Sequence, residues 1–228
     1  MSPEQFVAQV RETFEAHRNP AKAAPMAKYM KNRFPFLGLP RPDYQTLAKP
    51  LLQSVGKTAD EPWLLEVARL LWELPEREYQ YLAVGVLRAG SRRLGPGSLE
   101  VLERLLTHKT WWDSVDALAA QVVGPLVLRH PELKAEMDRW SRHHDFWLRR
   151  AAILHQLGYK EKTDPERLFA YCAANAADRE FFIRKGIGWA LREYAKTDPE
   201  AVWAFVAAHP GLSPLSKREA LKHARLGV

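Results

Sequence analysis

The chain has 228 residues, enough for one sizeable core, and its 46% hydrophobic and 27% charged residues exclude an intrinsically disordered polymer. No apolar run approaches the roughly 18 residues that span a bilayer, and the lone cysteine, Cys172, excludes a disulfide framework or a thiol-held metal cluster. Thirty-four Lys and Arg against 27 Asp and Glu leave a net charge of +7, which favours a polyanionic partner without specifying one.

The chain opens with Ser2-Pro3-Glu4-Gln5, a helix start and not a basic leader followed by an apolar stretch, so a cytoplasmic protein is expected. Helices are predicted near 3–17, 20–34 and 42–55, with Pro40 and Pro42 breaking the chain between the last two. Beyond them a spacing emerges. Pro62, Pro96, Pro131, Pro165 and Pro199 follow one another at intervals of 34, 35, 34 and 34 residues. Several read as helix starts with a carboxylate just after, as in Asp164-Pro165-Glu166 and Asp198-Pro199-Glu200, because proline's missing N–H is unpaired there anyway and acids suit the helix dipole. Aromatic pairs interleave at 35-residue spacing, opening helices at Trp111-Trp112, Phe146-Trp147 and Phe181-Phe182, with a looser earlier member at 78–81. Between the two series, apolar residues recur at helical spacing, as in Leu64, Val67, Leu70 and Leu71, and no period-2 strand run is present.

Each unit is therefore a helix, a turn and a second helix in about 35 residues, the length of HEAT-like helical-hairpin repeats. The expected fold is all-α: one domain of stacked hairpins forming a solenoid with a concave basic face. It divides into a helical cap at 1–60, repeats at 61–211 and a basic C-terminal helix at 212–228, which Ser216-Lys217-Arg218-Glu219 opens as a capping box. The basic residues that run from Arg149 to Arg225 concentrate in the C-terminal third.

Some residues resist a purely structural reading. Thr110 is a good N-cap, and Asp113 completes something like a capping box. Asp116 has no such role: it sits a turn further in, amid apolar residues, where Asp is a poor helix former. It lies four residues after Trp112, so the two share a helix face. It is either a carboxylate exposed beside an indole or the partner of a basic residue in the next repeat. Arg150, one repeat along, is ambiguous in the same way, a structural ion pair or a phosphate ligand. Trp189 stands in Gly186-Ile187-Gly188-Trp189, and glycine inside a helix costs about 1 kcal/mol, which close packing or a ligand's approach must offset. Trp63, Trp72, Trp140 and Trp203 read as core. No zinc spacing, phosphate loop or dinucleotide fingerprint is present.

These segments resemble the HEAT-like alkylpurine DNA glycosylases of the DNA alkylation repair family, the AlkD branch. The likeness runs from about Phe6 to Arg225 and is carried by 25–32, 71–78, 109–116, 147–159, 181–197 and 214–220. The resemblance implies an active site of Asp116, Trp112 and Trp189, with Arg150 holding a DNA phosphate and Tyr29 near the DNA. Lys185, Arg192, Lys217 and Arg218 would add salt-sensitive contacts. Pro40 departs from the family pattern, so no DNA contact is carried over for the 38–42 turn. The implied reaction is hydrolysis of the N-glycosidic bond of 3-methyladenine and 7-methylguanine in double-stranded DNA, without base flipping and without a cofactor or metal. With no lysine nucleophile, the product is an abasic site; a monomer is the default for this architecture, and no membrane partner is expected. The alternatives are a non-catalytic damage binder and a protein-interaction scaffold.

Overall fold

The computed structural model describes residues 1–56 and 59–222. Among them every regular element is helical, and the chain divides into two compact units, Met1–Val101 and Leu102–Val228. That division coincides with neither boundary drawn from the sequence, at 60 and at 211. Arg225 and the rest of 223–228, assigned to the basic C-terminal helix, lie outside the described residues.

In the first unit, Ser2 caps α1 (Pro3–Glu15) through a full capping box with Gln5. Asn19 caps α2 (Pro20–Tyr29), which stops five residues short of its predicted end. The cause is local: Lys31 and Asn32 adopt left-handed backbone, φ 58° and 54°, and the Asn32 N–H turns back to the Ala27 carbonyl at 2.7 Å. Pro40 does not merely interrupt the chain. It occupies the N-cap of α3 (Arg41–Ser54), with Pro42 in the first turn, and its carbonyl accepts the Tyr44 N–H. Asp60 caps α4 (Glu61–Glu73), and α5 (Arg77–Ala89) follows.

The turn before α3 is fixed from inside the unit. The buried Glu78 carboxylate of α5 accepts the backbone N–H groups of Leu37, Gly38 and Leu39 at 3.0, 2.9 and 3.1 Å. Three such bonds offset the cost of burying a charge. Gly38 has φ 90°, and a Cβ there would lie 2.0 Å from the Asn19 carbonyl oxygen, so only glycine fits. The neighbouring Arg77 is fully buried with its guanidinium 4.0 Å over the Phe34 ring. Trp72 is core as expected, whereas Trp63 sits at the rim, donating its indole N–H to the Met1 carbonyl.

The division between units falls within α6 (Ser98–Thr107). The second unit continues with α7 (Trp112–Leu118), a π turn at Ala119–Val123, α8 (Gly124–Arg129), α9 (Lys134–Trp140) and α10 (Phe146–Leu154). Then come α11 (Pro165–Ala174), α12 (Phe181–Tyr194), α13 (Pro199–Ala208) and α14 (Pro214–Ala220). Pro165 and Pro199 each stand at the first position of a helix capped by the preceding aspartate. The aromatic pairs stand at the starts of α7, α10 and α12.

Two caps differ from expectation. Trp111, not Thr110, is the N-cap residue of α7, with extended backbone and no side-chain cap bond, because Lys109 at φ 50° turns the chain just before it. Ser213, not Ser216, caps α14 by accepting the Ser216 N–H, so Glu219 is not part of a capping box. Its carboxylate goes elsewhere, as described below.

The sequence period reappears as hydrogen bonds between equivalent positions of successive repeats. Arg150 bonds Asp116, Lys185 bonds Glu219 and Asn175 bonds the Ser141 carbonyl, each across 34 residues, and the Tyr159 hydroxyl reaches the Gly124 carbonyl across 35. At the π turn a Cβ on Gly124 would lie 2.1 Å from the His155 carbonyl oxygen, so glycine lets the end of α10 approach. Trp140 is fully buried with its indole N–H on Glu103, and Cys172 is a buried thiol whose pKa burial pushes up.

His155 is buried in this unit, with Nδ1 2.6 Å from the Ala152 carbonyl, and burial lowers its pKa from 6.5 to about 4. A depressed folded-state pKa means that its stability contribution is complete above the unfolded value and is lost as pH falls from 6.5 toward 4. At about 1.4 kcal/mol per unit, the loss is at most a few kcal/mol. Thermal unfolding between pH 7 and 4 is expected to show this decline, and His155→Gln is expected to flatten it; an unchanged slope in the variant would assign the decline to other groups.

Candidate active site

The central feature of the second unit is an ion pair between α7 and α10. Arg150 donates from Nε to Asp116 Oδ1 at 2.7 Å and from Nη2 to Asp116 Oδ2 at 2.8 Å, a two-point, planar pairing. Its Nη1 donates to the Phe182 carbonyl at the start of α12. The Arg150 side chain is only 5% exposed and that of Asp116 15%. Burial pushes the Asp116 carboxyl above the ordinary 3.8, while Arg150 opposes that rise and a second carboxylate, Asp113, adds to it. A permanently charged guanidinium at two-point distance keeps the group ionised at neutral pH.

Both open readings of these residues thus resolve toward the inter-repeat ion pair. In this arrangement Arg150 Nε, Nη1 and Nη2 all donate to protein oxygens and the side chain is buried, as the ion-pair reading expects. Its neighbour Arg149 also turns inward, to Asp178 and to the carbonyls of His143 and His144.

Sequence features that looked merely architectural support the pair. A Cβ on Gly186 would lie 3.1 Å from Arg150 Nη1, so this glycine makes room for the guanidinium. The aromatic pairs form a cluster beside it: Trp111 and Trp147 meet at 5.7 Å, Trp111 and Phe182 at 4.9 Å, and Trp147 and Phe182 at 5.0 Å. The Arg150 guanidinium lies 5.9 Å from the Phe182 ring, at the outer limit of a cation–π contact. The 35-residue aromatic spacing signalled this cluster, but spacing alone gave no reason to join it to the ion pair.

Trp112 is half-buried at the first position of α7, one turn before Asp116 and on the same face. Trp189, also half-buried, lies on α12, the helix that supplies Phe182 and Gly186 to Arg150. At 3.6 residues per turn, Trp189 falls between the stripe of Phe182 and Gly186 and the stripe of Lys185, Gly188 and Arg192. That second stripe faces α14: a Cβ on Gly188 would lie 2.5 Å from Glu219 Cβ, and Glu219 bonds both Lys185 and Arg192. The two glycines therefore have separate tasks, one admitting Arg150 and the other α14. Lys217 bonds the Pro210 carbonyl, and Arg218 is exposed on α14. Tyr29 belongs to the first unit and is exposed at the end of α2.

The family model described as DNA alkylation repair enzyme matches residues 10–224. A solved structure described as a predicted DNA alkylation repair enzyme from Enterococcus faecalis is 36% identical, with a TM-score of 0.84 over 90% of this chain and 96% of that one. AlkD2 from Streptococcus mutans is 17% identical, with a TM-score of 0.62 over 77% and 88% of the two chains. The smu.31 protein of Streptococcus mutans UA159 is also 17% identical, with a TM-score of 0.61 over 77% and 90%. At that identity the last two share the fold alone. No curated protein matches the chain. The match across nearly the whole length, with the E. faecalis likeness, shows that this chain belongs to the DNA alkylation repair enzyme family.

Proposed function

We propose that the protein is a monofunctional DNA glycosylase that hydrolyses the N-glycosidic bond of cationic alkylated purines, 3-methyladenine and 7-methylguanine, in double-stranded DNA. The observation that carries this reading is the Asp116 carboxylate, held at two points by Arg150 on the helix face that also bears Trp112. Alkylation at N3 or N7 leaves the base positively charged, so it departs with the bonding electron pair as a neutral molecule and needs no general acid. The deoxyribose left behind gains oxocarbenium character, which a preorganised carboxylate stabilises. Water, oriented by Asp116, then bonds to the anomeric carbon and releases its proton to solvent, and an abasic site remains.

Arg150 acts in this scheme through Asp116. It fixes the carboxylate's orientation and keeps it charged where burial alone would favour the protonated form. Trp112 and Trp189 contact the cationic base and its sugar, with an attraction of about 0.5–2 kcal/mol for each cation–π contact. Lys185, Arg192, Lys217 and Arg218 contribute contacts to the phosphate backbone, and Tyr29 contacts DNA from the first unit. The protein works as a cytoplasmic monomer without a cofactor, and the lesion is removed without extrusion of the base.

The test is release of free base from duplex DNA carrying 7-methylguanine. Asp116→Asn is expected to lower single-turnover release at least tenfold, about 1.4 kcal/mol of transition-state stabilisation, with the fold checked by thermal unfolding. The wild-type rate is expected to decline in acid with a midpoint above the ordinary aspartate value of 3.8, since burial raises this carboxyl. Equal release by both proteins removes Asp116 from the chemistry, and tight DNA binding with no release by either favours a damage binder. A second variant probes the space around Arg150. Gly186→Ala gains about 1 kcal/mol of helix propensity but crowds the guanidinium, so release is expected to fall severalfold with little change in melting temperature; full activity would show that the guanidinium's position is not critical.

A further inference from the structure

Glu219 was read from sequence as part of a helix cap, and the structure gives its carboxylate a different task. From α14 it accepts from Lys185 Nζ at 2.9 Å and from Arg192 Nη1 at 2.5 Å, two cations seven residues apart on α12. Trp189 stands between those two positions, four residues after one and three before the other. The approach is built into both helices. Gly188 leaves the notch that Glu219 Cβ fills, and the Ser216 hydroxyl donates to the Arg184 carbonyl at 2.9 Å to hold α14 in register. Both cations lower the Glu219 pKa, Lys185 most, so the carboxylate is charged at neutral pH.

We infer that Glu219 is a positioning residue: it fixes Lys185 and Arg192 on either side of Trp189 so that both meet the DNA backbone in one defined geometry. The inference rests on the glycosylase reading above and deepens it.

Two observations favour positioning over masking. The Glu219 side chain is 17% exposed, less than Lys185 at 39% and Arg192 at 24%, so the two cations offer more of themselves to solvent than the carboxylate does. Each cation also keeps donors in reserve, because an ammonium carries three N–H groups and a guanidinium five, while Glu219 takes one from each. A carboxylate placed behind two long, flexible cations removes rotamer freedom before DNA arrives, and that ordering would otherwise be lost on binding.

The experiment compares wild type, Glu219→Gln and Glu219→Asp on a labelled undamaged duplex and on the same duplex bearing one 7-methylguanine. Glu219→Gln removes a negative charge near a polyanion but also the ordering of both cations, effects of opposite sign, so its affinity for undamaged duplex is expected to stay close to that of wild type. Single-turnover release at saturating protein is expected to fall at least fivefold, with Glu219→Asp retaining more than Glu219→Gln and melting temperatures nearly equal. Unchanged release in Glu219→Gln would make the carboxylate a structural contact only, and faster release with tighter binding would make it a mask; either overturns the inference. If wild type itself releases no base, the glycosylase reading fails on that control. The inference then stands or falls on whether Glu219→Gln loses the wild-type preference for the damaged duplex; a wild type with no preference overturns both.

Discussion

A half-buried carboxylate and a buried guanidinium, 34 residues apart in sequence, organise the second unit. Taking two charges out of water costs several kcal/mol per ion, and mutual attraction offsets this only when the geometry is good and the remaining donors find partners. Here the pairing is two-point, the Phe182 carbonyl takes a third donor, Gly186 leaves room, and three aromatic rings gather alongside. Removing one partner of such a pair typically costs about 3–5 kcal/mol. The pair therefore ties α7, α10 and α12 together and fixes the orientation of one carboxylate, the group on which the proposed chemistry rests.

The cations of the same unit follow a related logic. Arg149 and Arg150 face inward to protein acceptors, while Lys185 and Arg192 share a single carboxylate and remain partly exposed. Of these four, Arg149 and Arg150 hold the fold, and Lys185 and Arg192 are ordered near the surface with donors to spare. The glycines of α12 decide which helix each group meets, Gly186 opening toward Arg150 and Gly188 toward α14.

The all-helical fold was legible because proline and aromatic spacings of 34–35 residues are global signals that no single local choice can disguise. Pro165 and Pro199, each after an aspartate, marked true helix starts because proline and the cap act within the same turn. Caps chosen among competing neighbours were not legible. Ser213 and Ser216 both suit an N-cap, and only Pro214 at the first helical position favours the former. Thr110 lost its role to the left-handed turn at Lys109, a conformation that lysine rarely signals. In the site, the oddity of Asp116 in an apolar helix was readable, and so was its neighbourhood with Arg150 through the repeat register. The direction of Arg150 was not, since a guanidinium suits carboxylate and phosphate equally. Nor could sequence reveal Glu78 holding the turn before α3, a contact across 40 residues that follows no repeat register. Glu219 stands one repeat after Lys185, 34 residues along, but its place in an apparent capping box hid the pairing.

In the proposed mechanism the planar, two-point grip of Arg150 on Asp116, and not positive charge alone, makes the carboxylate competent. Arg150→Lys keeps the charge and removes the fork, and single-turnover release of 7-methylguanine at saturating protein reads the consequence. A loss of at least tenfold, with DNA affinity little changed and the protein still folded, is the expected result. Release at the wild-type rate would mean that a point charge serves as well as the oriented pair, and the proposed role of the fork would fall.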